Sequence, residues 1–190
     1  MTKIFYDTEF LENGISIKLL SIGMVKEDGE TYYAIVNDLD LMERAWTHSW
    51  LRKNVMQHLP LYVDYDGDLV WDRDCVDYKY VKPRHEIAED IKYFINGTTN
   101  PELWAYYGAY DHVALCQLYG TMVSLPMGIP MFTHELMQEI EKDTGFVPVE
   151  QSEGLHNALE DAEWNKETYQ RLQVRRTALK AANPTRTRVW

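Results

Sequence analysis

Three apolar segments separated by turn residues occupy the first 36 positions, and they restrict the fold more than any other feature. Residues 3–6, 15–25 and 31–36 are rich in β-branched and aromatic side chains, which favour strands. Asn13-Gly14 separates the first two segments, and the acidic, glycine-containing turn at 27–30 indicates a hairpin between the second and third. We therefore expect three antiparallel strands, the first of which runs directly into two acidic residues.

Helical and extended patterns alternate along the rest of the chain. Apolar residues at helical spacing predict helices over residues 41–59, 85–95, 112–119, 133–143 and 157–180, and an aromatic strand is expected at 103–107. Pro83 is expected in the first turn of the second helix, and Asn183-Pro184 after the last. Strands that alternate with helices indicate an α/β fold. A length of 190 residues fits a single domain.

Charge is distributed unevenly along this acidic chain, whose formal net charge is −11. All 30 Asp and Glu residues lie in the first 170 positions, whereas the last 20 hold six Lys and Arg. An acidic body argues against broad nucleic-acid binding through Lys and Arg, although bound metal ions could supply the positive charge. The basic tail, residues 176–190, is open to three interpretations: a solvated helix end, a partner contact or a substrate arm.

Several features favour a cytoplasmic protein. No apolar run is long enough to span a membrane, and Asp7 interrupts the N-terminus before a signal-peptide core could form. Cys75 and Cys116 are too few for a disulfide framework and lack the spacing of a metal site.

Asp7 and Glu9 are the first candidate functional residues. Residues i and i+2 of a strand point to the same side, so these two carboxylates would lie together. Like charges this close repel unless a cation such as Mg²⁺ lies between them. Taken alone, the pair is better explained as an acidic strand end that faces water.

Two further sites carry acids and a histidine. Asp111 precedes the predicted helix at 112–119, where it would most simply act as an N-cap. Asn157 and Glu160 form a capping-box pattern, which predicts a helix that begins at Asn157. His156 would then lie just before this helix with Asp161 in its second turn, so that both side chains can reach one cleft, although a histidine beside a helix cap is more often structural.

The ordered set of these residues resembles the DEDD-type 3′→5′ exonucleases that carry a histidine, often called DEDDh. The matching residues are Asp7, Glu9, Asp111, His156 and Asp161. Longer phrases at residues 5–10, 21–23 and 108–118 are similar to the small polyadenylate-specific 3′-exoribonucleases of actinobacteria, a family called ribonuclease AS. The resemblance covers residues 3–173 and is weakest at 59–82.

This resemblance implies an RNase H-like fold with a central mixed β-sheet flanked by α-helices. It also implies two divalent ions, Mg²⁺ or Mn²⁺, held by the four carboxylates, and His156 as the general base. The expected reaction is metal-dependent hydrolysis of RNA from its 3′ end to 5′-mononucleotides. A homodimer, single-stranded RNA 3′ ends as the partner and a preference for adenylate are likewise implied by the resemblance alone.

Candidate substrate-binding residues lie beside these acids. Thr8 lies between the first two acids, and Phe10 and Leu11 follow them. Tyr107 and Tyr110 precede Asp111, and aromatic rings at these positions could stack on terminal bases. Packing in the core explains these side chains equally well.

The predicted domain comprises residues 1–175, with an Asp-rich insertion at about 60–82. Asp64-Tyr65-Asp66-Gly67-Asp68 resembles a Ca²⁺ loop, but Leu69 and Cys75 occupy positions that require Gly and Glu. We interpret the insertion as a solvated excursion, either a strand pair near the cleft or a subunit contact.

Two other functions remain open at this level. A DNA-directed exonuclease or a general oligoribonuclease would use the same site, and only a comparison of substrates separates them. A catalytically silent RNA-binding protein is the alternative outside the enzymes, but such a protein has no need of four carboxylates beside a polyanion.

Overall fold

A six-stranded mixed sheet lies at the centre of the computed structural model, which describes residues 1–151 and 156–182. Its strands are β1 (Thr2–Glu12), β2 (Ile17–Lys26), β3 (Thr31–Val36), β6 (Val81–Lys82), β7 (Pro101–Ala105) and β8 (His134–Glu135), in the spatial order β6-β3-β2-β1-β7-β8. β1, β2 and β3 pair antiparallel, as expected, whereas β7 pairs parallel to β1. The α/β prediction is therefore confirmed.

The described residues form six α-helices around the sheet: α1 (Leu39–Thr47), α2 (Ser49–Asn54), α3 (Arg84–Asn96), α4 (Ala109–Cys116), α5 (Leu136–Glu141) and α6 (Ala158–Ala182). The prediction of a single helix over 41–59 is wrong, because this region is divided into α1, α2 and the 3₁₀ turn Met56–His58. His48 adopts an extended conformation at the break. This bend allows apolar residues of all three pieces, among them Met42 and Met56, to reach one core.

The other boundaries differ from expectation at the sheet edge. The expected strand at 103–107 lies at Pro101–Ala105, and residues 134–135, expected to be helical, pair with Trp104 and Ala105 as β8. A two-residue edge strand carries too little periodicity to be separated from the helix that follows it. Pro83 lies one position before α3, and α6 begins as predicted, because Oδ1 of Asn157 accepts a hydrogen bond of 2.9 Å from the Leu159 amide.

The two faces of β1 are covered by different helices. Ile4 and Tyr6 belong to the main core, which includes buried residues of α1, α3 and α4. Phe5 points the other way and packs with Ala162 of α6. Alternation along a strand produces this division, and it predicts that Asp7, like Phe5, faces the side on which α6 lies.

β1 continues past the end of its parallel neighbour. The pairing of β1 with β7 ends at Phe5 and Trp104. Beyond that point the backbone of β1 is bonded by side chains instead: Nδ2 of Asn165 in α6 donates to the Tyr6 carbonyl at 3.1 Å, and the Thr8 amide donates to Asp111 of α4 at 2.9 Å. Buried backbone groups need partners, so this open edge draws both helices to the same place.

Gly23 of β2 allows α6 to approach the sheet closely. It lies directly across from Asp7 in the pairing of β1 with β2. A Cβ atom at this position would lie 2.3 Å from the backbone of Ala158 and Leu159, a distance that no real Cβ contact shows. The first turn of α6 can therefore rest on the sheet only because residue 23 has no side chain.

The Asp-rich insertion forms a small hairpin of its own. β4 (Leu61–Val63) pairs antiparallel with β5 (Leu69–Trp71), and the 3₁₀ turn Val76–Tyr80 leads into β6. Asp64 accepts bonds from the Asp66 and Asp68 amides, so it stabilises the hairpin turn. The interpretation as a strand pair is confirmed.

α6 continues without interruption beyond the predicted domain boundary at residue 175. Arg175, at the end of the predicted domain, binds Asp143 at 3.1 Å, and Arg176, the first cation of the basic tail, binds Glu139 at 2.8 Å, so the start of the tail packs near α5. Residues 183–190 of the tail, with the expected break at Asn183-Pro184, lie outside the described residues. Among the helices that the structure describes, none has the length and apolar character needed to cross a membrane.

We expect the substitution Gly23→Ala to destabilise the protein by about 1–3 kcal/mol, because the added methyl group must push α6 away from β2. Urea unfolding measures this change. Gly97→Ala is the matched control, since its new Cβ would come no closer than 3.4 Å to any neighbour. Equal midpoints for the two variants would contradict the close approach of α6.

Candidate active site

The site begins where β1 carries its two acidic residues past the end of β7. Asp7 and Glu9 are two residues apart on β1, so their side chains share the face on which α6 lies. Glu9 is buried and Asp7 is partly exposed. One extra residue in β2 shifts the register between Glu9 and Phe10, and such a bulge redirects the side chains beside it.

Asp111 reaches the same place from α4. It is the third residue of this helix and not its N-cap, so the capping role expected from the sequence is wrong. Its Oδ1 atom accepts two bonds from Thr8, one from the amide at 2.9 Å and one from the hydroxyl at 2.7 Å. The structure thus places Thr8, a predicted substrate contact, on Asp111, where it fixes the orientation of the carboxylate.

The start of α6 supplies the remaining two residues. Asp161 lies in the early turns of this helix, and His156 lies two residues before it. Ligand atoms of Glu9, His156 and Asp161 all lie within 4.8 Å of one another. The prediction that His156 and Asp161 reach one cleft is therefore confirmed.

The carboxylates raise each other's pKa. Burial, followed by the charges of Asp161 and Asp111, raises the pKa of Glu9 to about 8. Burial is also the main reason that the pKa of Asp161 rises to about 6. The pKa of Asp111 rises to about 6 although its bonds from Thr8 oppose the shift. Burial and the three other acids raise the pKa of Asp7 well above its usual range.

This donor set suits a hard divalent cation. Four carboxylates that are forced together favour protons or metal ions, and Mg²⁺ and Mn²⁺ prefer oxygen ligands. An imidazole beside two of the carboxylates adds a nitrogen donor or a proton acceptor. The residues present therefore fit a divalent metal site, with Glu9 and Asp161 at its centre.

His156 is enclosed by residues of α2 and of the turn that follows it. The ring of Trp50 lies against its imidazole, with centroids 4.9 Å apart and planes at 60°. Burial, and then the charge of His58, lower the pKa of His156 below its ordinary value. The imidazole is therefore neutral at pH 7, and one ring nitrogen can accept a proton.

The other predicted substrate contacts are divided between surface and core. The rings of Phe10 and Tyr110 lie parallel, with centroids 6.0 Å apart, and Tyr110 is exposed. Tyr107 is exposed as well. Leu11 packs against the main core, which supports the packing alternative for this residue.

Glu135 holds the turn that carries Tyr107. Its two carboxylate oxygens each accept a bond of 2.8 Å, from the amides of Tyr107 and Gly108. Tyr107 adopts a left-handed backbone conformation with φ of 54°, which few residues other than glycine favour. Glu135 thus secures both the strained turn and the start of α4, on which Asp111 lies.

Sequence reasoning missed four residues that support the site. They are Trp50 against His156, Glu135 below the turn, Asn165 on β1 and Gln151, whose amide donates to Asp161 at 2.6 Å. None is close in sequence to the residue or strand that it holds. Of the four, only Asn165 could have been predicted from the sequence, because a polar residue four positions after Asp161 lies on the same face of the helix.

Comparison with known proteins identifies the family. The model of the Rv2179c-like 3′-5′ exoribonuclease domain matches residues 2–173. Two curated relatives, the 3′-5′ exoribonucleases Rv2179c and MT2234.1 of two Mycobacterium tuberculosis strains, are each 43% identical over 163 residues. These alignments cover 84% of this chain and 86% of each relative.

Comparison with solved structures supports the same fold. E. coli exonuclease I in complex with a dT13 oligonucleotide superposes with a TM-score of 0.58 at 9% identity, over 95% of this chain. The chain spans 43% of the length of that exonuclease I chain. This likeness shows a mixed sheet flanked by helices of the RNase H-like type, as expected. With the family match over nearly all of its length, the chain belongs to the Rv2179c-like 3′-5′ exoribonuclease domain family.

Proposed function

We propose that this protein shortens single-stranded RNA from its 3′ end and releases 5′-mononucleotides, with two divalent ions, Mg²⁺ or Mn²⁺, as cofactors. Asp7, Glu9, Asp111 and Asp161 hold the ions, and His156 is the general base. The observation that carries the proposal is the meeting of Glu9, His156 and Asp161 within 4.8 Å. Asp7 and Asp111 are close enough to interact with this group by charge. No other group of three metal-ligand side chains occurs within the described residues.

The four carboxylates have one task in this proposal, which is to hold positive charge beside a polyanion. When bound, the ions would act as Lewis acids that neutralise the scissile phosphate and stabilise the attacking and leaving oxygens. Thr8 and Gln151 each donate to one of the four carboxylates, so these oxygens are oriented before a ligand arrives. Preorganised ligands lose little freedom on binding, which strengthens the site.

His156 accepts the proton of the attacking water. Its lowered pKa keeps the imidazole neutral at pH 7, and contact with Trp50 restricts the ring. The imidazole nitrogen lies beside Glu9 and Asp161, so the proton acceptor is close to the charge that would activate water. General bases of this kind contribute about 10²–10⁴ in rate.

Aromatic residues at the rim support binding of unstacked bases. Phe10 and Tyr110 are parallel, and Tyr107 and Tyr110 expose their rings, so terminal bases could stack there. The preference for adenylate rests on the family resemblance.

The free thiols of Cys75 and Cys116 support a reducing, cytoplasmic location.

We expect 5′-labelled oligo(A) to shorten from its 3′ end with Mg²⁺ present and to remain intact in EDTA. His156→Ala should lower kcat by about 10²–10⁴, because water then loses its proton acceptor. Gel time courses on oligo(A), oligo(U) and oligo(dA) measure rate, sugar preference and base preference together. Glu163→Gln, on an exposed part of α6, is the matched control and should cut like the wild type.

The same gels distinguish the proposed function from its alternatives. Equal cleavage of oligo(dA) would favour the DNA-directed exonuclease, and equal cleavage of all RNA would favour a general oligoribonuclease. If the wild type leaves every substrate intact with Mg²⁺ and again with Mn²⁺, the protein is a binding protein and the proposed function fails.

A second prediction follows from the raised carboxylate pKa values. In the metal-free protein, Glu9 of the folded state keeps its proton up to a pH of about 8, whereas the unfolded chain releases it near pH 4.5. The contribution of this proton to the free energy of unfolding is therefore fully present at pH 4 and is lost as the pH rises through about 8. Glu9→Gln removes the carboxyl group whose pKa rises to about 8, and should therefore raise the free energy of unfolding at pH 8 by about 4 kcal/mol and the Tm by roughly 10 °C. The difference between the two proteins should vanish near pH 4.

Calorimetry in EDTA and in Mn²⁺ measures both effects. Metal ions bind the deprotonated carboxylates, so Mn²⁺ should raise the Tm of the wild type more at pH 8 than at pH 5.5, and that of Glu9→Gln less at both. Glu163→Gln again serves as control. A wild type and a Glu9→Gln variant with the same Tm at pH 8 would show that burial and the neighbouring charges do not raise the pKa of Glu9.

A homodimer is part of the proposed function. Met122, Val123, Met127, Met131 and Phe132 are each more than 60% exposed, and they form an apolar surface that we call the methionine surface. Contiguous apolar area of this kind commonly marks an interface.

We expect light scattering to give the mass of two chains for the wild type and of one chain for a Val123→Glu, Met127→Glu variant. Val76→Glu, elsewhere on the surface, is the control, and a monomeric wild type would contradict the proposal.

A further inference from the structure

A short stretch of the acidic chain is free of acidic residues and lies beside the site. Residues 44–58 contain Arg44, Arg52, Lys53 and two histidines, with no Asp or Glu. The contact between Trp50 and His156, with ring centroids 4.9 Å apart, places α2 against the site. The cations of α2 therefore lie on a helix that borders the site.

Helix geometry separates the cations of α2. At 100° per residue, Lys53 lies about 60° from Trp50 around the helix axis, whereas Arg52 lies about 160° away from it. Residues three apart are neighbours on one helix side. Lys53 thus shares the side of Trp50 that borders His156, while Arg52 points in a different direction.

Lys53 also has no carboxylate partner among the described residues. Eight of the cations in the described residues form ion pairs, and they are Lys3, Lys26, Lys82, Lys92, Lys142, Arg171, Arg175 and Arg176. Lys53 is exposed and forms no ion pair within the part of the chain that the structure describes. Its charge is available to a ligand from solution.

We propose that Lys53 binds a backbone phosphate of the RNA strand, 5′ to the linkage that is cut, so that the Trp50–Lys53 side of α2 forms one wall of the substrate path. The inference rests on the proposed function and extends it to a subsite for a second phosphate. The carboxylate cluster provides a place for the scissile phosphate alone, whereas each further phosphate of the polyanion needs a cation of the protein. Of the two cations of α2, Lys53 is the one on the side of the helix whose Trp50 contacts His156.

The experiment compares Lys53→Gln with Arg52→Gln, two adjacent exposed cations that lose the same charge. Binding of 5′-fluorescein oligo(A) is measured by anisotropy with Ca²⁺ in place of Mg²⁺, with gels to verify that the strand stays intact. We expect Lys53→Gln to raise Kd by about fivefold and to reduce the slope of log K against log salt by about 0.7, the value for one phosphate contact on a single strand. Arg52→Gln should retain the Kd and the slope of the wild type, and Lys53→Arg should restore both.

Hydrolysis gives an independent readout. With Mg²⁺, Lys53→Gln should lower the ratio of kcat/KM on an oligo(A) eight nucleotides long to that on a dinucleotide, because the dinucleotide has no second phosphate. Equal Kd values and slopes for Lys53→Gln and Arg52→Gln would overturn the subsite. A wild type that binds oligo(A) but cuts neither substrate would instead refute the proposed function, and the anisotropy comparison would still decide the role of Lys53.

Discussion

The unequal length of two neighbouring strands is the constraint on which the rest of this structure depends. β7 stops at the level of Phe5, while β1 continues to Glu12. The exposed backbone edge beyond that point cannot stay unbonded in a buried place. Asn165 of α6 binds the Tyr6 carbonyl, and Asp111 of α4 binds the Thr8 amide, so hydrogen bonding of the backbone also delivers two helices to the acidic end of β1.

A cost in electrostatic energy accompanies this arrangement. Asp7, Glu9, Asp111 and Asp161 lie in a poorly solvated place, and burial raises the pKa of each of them. Repulsion between these acids adds to the shifts of Asp7, Glu9 and Asp161. Close packing on both sides of the sheet offsets it, as in the approach of α6 to Gly23. A site that is unfavourable on its own becomes favourable when cations enter, which connects the stability of the fold to its proposed chemistry.

Local pattern was sufficient for much of the fold and failed at specific places. The antiparallel opening, the helix that begins at Asn157 and the break after Glu12 follow from turn residues and capping, which act over a few positions. The division of the helix at 41–59 and the edge strand β8 do not, because a bend at His48 and pairing with Trp104 depend on what the core and the sheet require. The role of Asp111 was likewise assigned from its neighbours in sequence, whereas its partner Thr8 is 103 residues away.

The sequence by itself determined the α/β class and the placement of His156 just ahead of a capped helix, because strand alternation and helix caps are local properties. The four acids and His156 were predicted as a site from the resemblance of their ordered set to the DEDDh exonucleases. Only the tertiary structure decided how these residues are held: Thr8 on Asp111, Gln151 on Asp161, Trp50 on His156 and Glu135 below the turn at Tyr107. Most of these partners are far apart along the chain, and no periodicity or spacing connects them. They meet because β1 extends beyond the end of β7 and because Gly23 leaves room for α6 to reach the sheet.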